Sequence, residues 1–147
     1  MFQNILVPTD GSDFSYKAVA TAARLAHSLQ AKLLVLHVRS PIDSPHHVEG
    51  GALTKLGGKV VQQEIEDEER KLLDAALEIA AADGTAAKSA FIAGHLPYDA
   101  IIRVAREQQC DLIVMASHGR SGISGFLVGS ETQKVLTHST IPVLVVR

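Results

Sequence analysis

Five short apolar runs recur along the 147-residue chain with helix-length stretches between them, and this alternation restricts the fold more than any other feature. The runs are "NILVPT" (4–9), "KLLVLHV" (32–38), "AKSAFIA" (87–93), "DLIVMAS" (111–117) and "PVLVV" (142–146). Their length and β-branched content are those of buried strands. Between them the period changes. Residues 12–30 place Ala18, Ala22, Leu25, Ala26 and Leu29 on one helical face. Residues 59–82 bring Val61, Ile65, Leu72, Ala76 and Ile79 together, put the charge run from Glu66 to Arg70 on the solvated side, and stop at Asp83-Gly84. A third helix is expected over 97–109, with Pro97 at its first position, and a fourth from Ser130. The order β-α-β-α-β-α-β-α-β predicts the α/β class: one doubly wound, open, parallel five-stranded sheet with helices on both faces, in a single domain over 1–147. The stretch 39–58, rich in Pro, Gly and His, falls outside the pattern and reads as a mobile loop.

Composition removes several function classes. A formal charge of -2 with 20% charged residues carries no basic excess, so no nucleic-acid partner is expected. No apolar run approaches the roughly 20 residues of a membrane helix, and "MFQNILVPTDGS" has neither the basic start nor the apolar stretch of a secretion signal. The expectation is a cytoplasmic protein with no membrane partner. Cys110 is the only cysteine, and in "EQQCDLIV" it reads as a small apolar residue beside a buried strand.

In such sheets ligands settle beyond the carboxyl ends of the strands, where neighbouring connections leave in opposite directions. The fourth run is followed there by "ASHGRSGISGFLVGSET" (116–132), four glycines and four serines in seventeen positions. Glycines let backbone approach a ligand, consecutive amides form an anion site, and the helix that follows adds its own donors and the positive end of its dipole. Phosphate is the natural guest. A plainer reading competes: Ser130 and Gln133 could form a capping box that uses up two amides. Neither G-x-x-x-x-G-K-[ST] nor G-x-G-x-x-G occurs in the loop.

At these residues the chain resembles the universal stress protein family, whose nucleotide-binding branch carries Gly, two residues, Gly, nine residues, then Gly-Ser or Gly-Thr. Here "ASHG" (116–119) precedes nine residues and "GS" (129–130), and "NILVPTDGS", "LHV", "GHLP" and "IPVLVV" are also similar to that family. The resemblance implies strand order 3-2-1-4-5, ATP in the crevice between the first and fourth strands, with or without Mg²⁺, and a homodimer through the strand 142–146. It places Asp10 on the ribose or adenine side, the backbone of Val38 at the adenine edge, and Gly119, Gly129 and Ser130 at the phosphates; Pro8, Thr9, Ala116, His118, Arg120, Glu131 and Thr132 complete the candidate cofactor-binding residues. The function implied is an adenine-nucleotide-binding regulatory protein of the stress response with an unknown protein partner. A nucleotide-independent dimeric interaction protein and a slow ATPase are the alternatives.

Several of these residues admit two readings. Asp10 either meets the ligand or caps the first helix alongside Ser12. Ala116 stands where the family has glycine: at negative φ its methyl costs only room, whereas at positive φ it costs about 1 kcal/mol, roughly fivefold in an equilibrium constant. Glu131 repels a phosphate unless it turns away or Mg²⁺ intervenes, and Arg120 either offsets it or is merely solvated. His118 either bonds a phosphate or orders the loop. The adjacent His46 and His47 lack the partners of a zinc site, while His27 and His37 read as packed or surface residues. No catalytic residue is assigned.

Overall fold

A computed structural model describes residues 1–40, 57–119 and 128–147. The loop expected at 39–58 lies outside these residues except at its ends, and His46, His47 and Arg120 lie outside them entirely. The chain runs β1 (Asn4–Pro8), α1 (Asp13–Leu29), β2 (Lys32–Arg39), α2 (Gly57–Ala82), β3 (Ala87–Ala93), α3 (Pro97–Glu107), β4 (Leu112–Ala116), α4 (Ser130–His138) and β5 (Val143–Val146). The strands form one parallel sheet in the order β3-β2-β1-β4-β5, as expected.

Two apolar layers hold helices to opposite faces. Ile5, Val7, Val35 and Val114 pack with Ala18, Ala22 and Ala26 of α1 and Ala76 and Ala80 of α2, where small side chains let the helices lie close to the sheet. Leu6, Leu36, Ile113 and Met115 pack on the other face with Ile101, Ile102 and Ala105 of α3 and Val135 of α4. Cys110 joins this second layer, and burial, helped by neighbouring Asp111, pushes its thiol up to about 11, so it is a packing residue with little thiolate character.

Two local expectations change. The runs at 87–93 and 142–146 read as buried strands, yet Lys88, Ser89, Phe91 and Leu144 are exposed, because β3 and β5 are the edges of the sheet. The third helix ends at Glu107, short of 109, because Gln109 takes a left-handed conformation (φ 55°) while Cys110 N–H bonds back to Ala105 O at 2.7 Å. At the end of α2, Gly84 has φ 75°, the left-handed backbone that makes glycine a helix stop.

Candidate functional site

The connections after β1 and β4 depart toward opposite edges of the sheet, and a crevice of about 320 Å³ opens at the carboxyl ends of the strands. Of the residues expected there, Pro8, Thr9, Asp10, Val38, Ala116, His118, Gly119, Gly129, Ser130, Glu131 and Thr132 all line it. Their atoms are committed in different ways.

Along β1 the side chains organise backbone. Ser15 Oγ donates to Ser12 O at 2.8 Å, so its contact with Thr9 Oγ1 at 2.8 Å uses the threonine proton; Thr9 Oγ1 in turn accepts from Gly11 N–H at 3.2 Å. The Thr9 hydroxyl is thus spent within the turn. Asp10 Oδ1 accepts from Ser12 N–H at 3.0 Å and Ser12 Oγ at 2.6 Å, while Ser12 caps α1 by accepting from Ser15 N–H. Asp10 therefore supports the cap, and its other oxygen faces Gly119: a Cβ on that glycine would stand 2.6 Å from Asp10 Oδ2.

Val38 contributes backbone. Leu36 O accepts from Thr9 N–H at 2.8 Å on the β1 side, and Arg39 O accepts from Gly94 N–H at 3.0 Å on the β3 side. The alternation of a parallel ladder turns the amide and carbonyl of Val38 to the same side as Leu36, where β1 has already ended at Pro8. A donor and an acceptor therefore stand side by side at the rim.

Both ends of the glycine loop are pinned. Gly129 N–H donates to Ser117 O at 2.7 Å, and Thr132 Oγ1 donates to Ala116 O at 2.9 Å. The Thr132 hydroxyl is consequently a strut. The capping box is not formed: Gly129 is the N-cap, Gln133 N–H bonds to Gly129 O at 2.9 Å, and no side chain caps the helix. Ser130 already lies in the first turn, so the backbone amides of Ser130, Glu131 and Thr132 have no partner among the described residues. Glu131 turns away: Oε2 accepts from Tyr98 N–H at 2.9 Å, an orphan amide of α3, and Oε1 meets Lys134 Nζ at 2.7 Å. His118 Nδ1 pairs with Ser117 Oγ at 3.0 Å, its ring leans on Phe14, and its Nε2 is buried without a partner among the described residues.

Ala116 is resolved in favour of the milder reading. Gln30 and Gln109 are the non-glycine residues with positive φ among those described, so Ala116 keeps ordinary strand backbone and its methyl joins the layer under α1. Ala116→Gly is expected to leave ligand affinity equal or tighter while lowering stability by about 1 kcal/mol, through lost packing and added backbone freedom. A titration together with a thermal melt checks both halves; a clear loss of affinity contradicts the reading.

Sequence reasoning missed one wall. Ile65, Glu68, Glu69 and Leu72 of α2 line the crevice with His37, Arg39 and Ser15. Glu69 corrects the assignment of the 66–70 run to solvent: the residue is 9% exposed, with Oε1 3.2 Å from Arg39 Nη1. Burial raises its carboxyl above the usual range, opposed by the charges of Arg39 and His37. His37 is also buried, its Nδ1 donating to Thr9 O at 2.8 Å and its ring stacked on Phe91. The missed signal was spacing, since Glu69 stands four residues after Ile65 and three before Leu72, on their face of the helix.

The model of the Universal stress protein family matches residues 1–147. The chain belongs to the universal stress protein family. Universal stress protein YxiE of Bacillus subtilis is 37% identical over 149 residues, with all of both chains covered. A universal stress protein solved in complex with cAMP is 29% identical with a TM-score of 0.72, covering 99% of this chain and 97% of its own. Universal stress protein UspA from Lactobacillus plantarum is 27% identical with a TM-score of 0.76, covering 99% and 97%. Among the described residues no group of three or more His, Cys, Asp or Glu comes together to hold a metal ion, and no helix is long and apolar enough to cross a membrane.

Proposed function

We propose that this universal stress protein binds an adenine nucleotide, ATP in the first instance, and acts as a dimeric regulatory module of the stress response. The observation that carries the reading is the start of α4. Three amides without a partner among the described residues, the positive end of a helix dipole and two glycines whose absent side chains leave backbone exposed make a site for phosphate oxygens. The residues fit the group: Ser130, Glu131 and Thr132 supply N–H donors, Ser130 adds a hydroxyl, and the Glu131 carboxylate is held elsewhere. At the other end Val38 offers an amide beside a carbonyl, the complement of an adenine edge. The complex of a relative with cAMP supports adenine as the base. Mg²⁺, when bound, would neutralise phosphate charge and draw most of its ligands from the phosphates and water.

Release of bound nucleotide on denaturing freshly purified protein tests the reading. An adenine nucleotide in near-stoichiometric amount supports it, whereas protein that carries no nucleotide and rebinds none favours the nucleotide-independent interaction protein. Hydrolysis is expected to be slow, below about 1 s⁻¹, because the site supplies phosphate donors and no assigned general base. His118→Ala should leave that slow rate unchanged; a steady-state phosphate-release assay showing turnover above 1 s⁻¹, lost in His118→Ala, would make this protein an ATPase.

A further inference from the structure

We propose that Glu69 is a specificity-determining acceptor at the base end of the crevice, where it selects a purine with an amine rather than a carbonyl at position 6. The inference rests on the adenine-nucleotide reading and assigns a residue to it. An ionised carboxylate has about four acceptor positions, and Glu69 Oε1 has no directed hydrogen-bond partner among the described residues. Its Oε1 lies 3.2 Å from Arg39 Nη1 yet off the N–H direction, and the same guanidinium sits over the Phe91 ring at 5.3 Å. A buried carboxylate whose side chain is 11% exposed, with one oxygen lacking a directed donor, can accept from a group outside the chain.

The surroundings specify that donor. Ile65 and Leu72, one helical turn to either side of Glu69, line the crevice too, so α2 offers an apolar, acceptor, apolar strip suited to a flat ring with a polar N–H edge. The Arg39 contact sets Glu69 beside the residue that follows Val38, whose backbone pair is directed at the ring edge. Charge fixes the orientation of the ligand. Arg39 balances the charge of Glu69, which leaves Glu68 to repel phosphate from this end, and the α4 amides attract it to the other. Adenine presents an amine at position 6; hypoxanthine and guanine present a carbonyl there, which would meet the carboxylate acceptor to acceptor.

Calorimetric titrations of ATP, ITP and 2′-deoxy-ATP test the assignment on wild type, Glu69→Gln and the double variant Glu69→Gln/Arg39→Gln, which removes both charges together. Ratios of affinity within one variant cancel losses of folded protein. Wild type is expected to prefer ATP to ITP by at least about tenfold, and Glu69→Gln to shrink that ratio by about tenfold because the amide rotates to donate to a carbonyl. The ratio of ATP to 2′-deoxy-ATP should not change. An ATP-to-ITP ratio equal in wild type and both variants overturns the proposal, as does a change confined to the deoxy ratio, which would assign Glu69 to the ribose. Wild type binding ATP and ITP equally overturns the proposal alone; wild type binding neither overturns the nucleotide reading and the proposal with it.

Discussion

Gly129→Val is expected to abolish the nucleotide binding we propose while leaving the protein folded. A Cβ at this position would stand 3.2 Å from Ser117 O and 3.6 Å from His118 Cα, both backbone atoms with no side-chain freedom to yield. Ser117 O is moreover fixed by the 2.7 Å bond it accepts from Gly129 itself. Backbone strain is not the cause, since φ -56° and ψ 151° suit any residue; crowding is. Valine adds two methyl groups at the point of closest approach and must push the start of α4 away from the end of β4. The amides of Ser130, Glu131 and Thr132 then lose their common aim, and a displacement near 1 Å costs on the order of 100-fold in a positioned interaction. A titration at millimolar ATP should show no binding, with a melting temperature that identifies a folded protein. Binding within threefold of wild type would remove the α4 amides from the account.

The same residues show how much could be read in advance. Strand order followed from the resemblance, and the placement of helices from periods of 3.6 and near-continuous apolar runs, because both patterns are imposed directly by burial on a sheet. The ring of crevice residues was legible for a local reason: Asp10, Val38 and the glycines sit at strand ends, where sequence position alone sets the rim. What each atom does there was not legible. Thr9 spends its hydroxyl inside its own turn, while Thr132 braces Ala116 O and Glu131 caps Tyr98 through contacts between segments distant in the chain. Glu69 was hidden inside a charge run, where four solvated neighbours masked one residue on the inward face. The capping box failed for a geometric reason, because the bond from Gly129 to Ser117 draws the helix start back by one residue and leaves Ser130 inside it.

Val143→Pro converts the dimer we propose into monomers. Ile113 N–H bonds to Pro142 O and Ser117 N–H to Val146 O, so Pro142, Leu144 and Val146 direct their backbone groups at β4. Alternation leaves Val143 and Val145 directing theirs outward from the edge of the sheet, and Leu144 is 40% exposed there. An edge of this kind, uncharged until Arg147, is an aggregation hazard unless covered, and a second copy of β5 running antiparallel across a two-fold axis satisfies the donors and acceptors of both chains. Proline at 143 removes an outward donor and places its ring in the path of the partner, leaving the β4 ladder unbroken. Light scattering at micromolar concentration should give twice the 15.7 kDa chain mass for wild type and about the chain mass for the variant. A wild type near 15.7 kDa rejects the dimer, and a variant that remains dimeric moves the interface elsewhere.

Titration of the wild-type protein with Mg-ATP tests the central claim most directly. Three helix amides without a partner among the described residues, two glycines at the points of closest approach and an amide-carbonyl pair at Val38 predict saturable binding at one site per chain. The expected dissociation constant lies between micromolar and sub-millimolar, roughly -5 to -8 kcal/mol. The absence of both heat and thermal shift at millimolar nucleotide would contradict it.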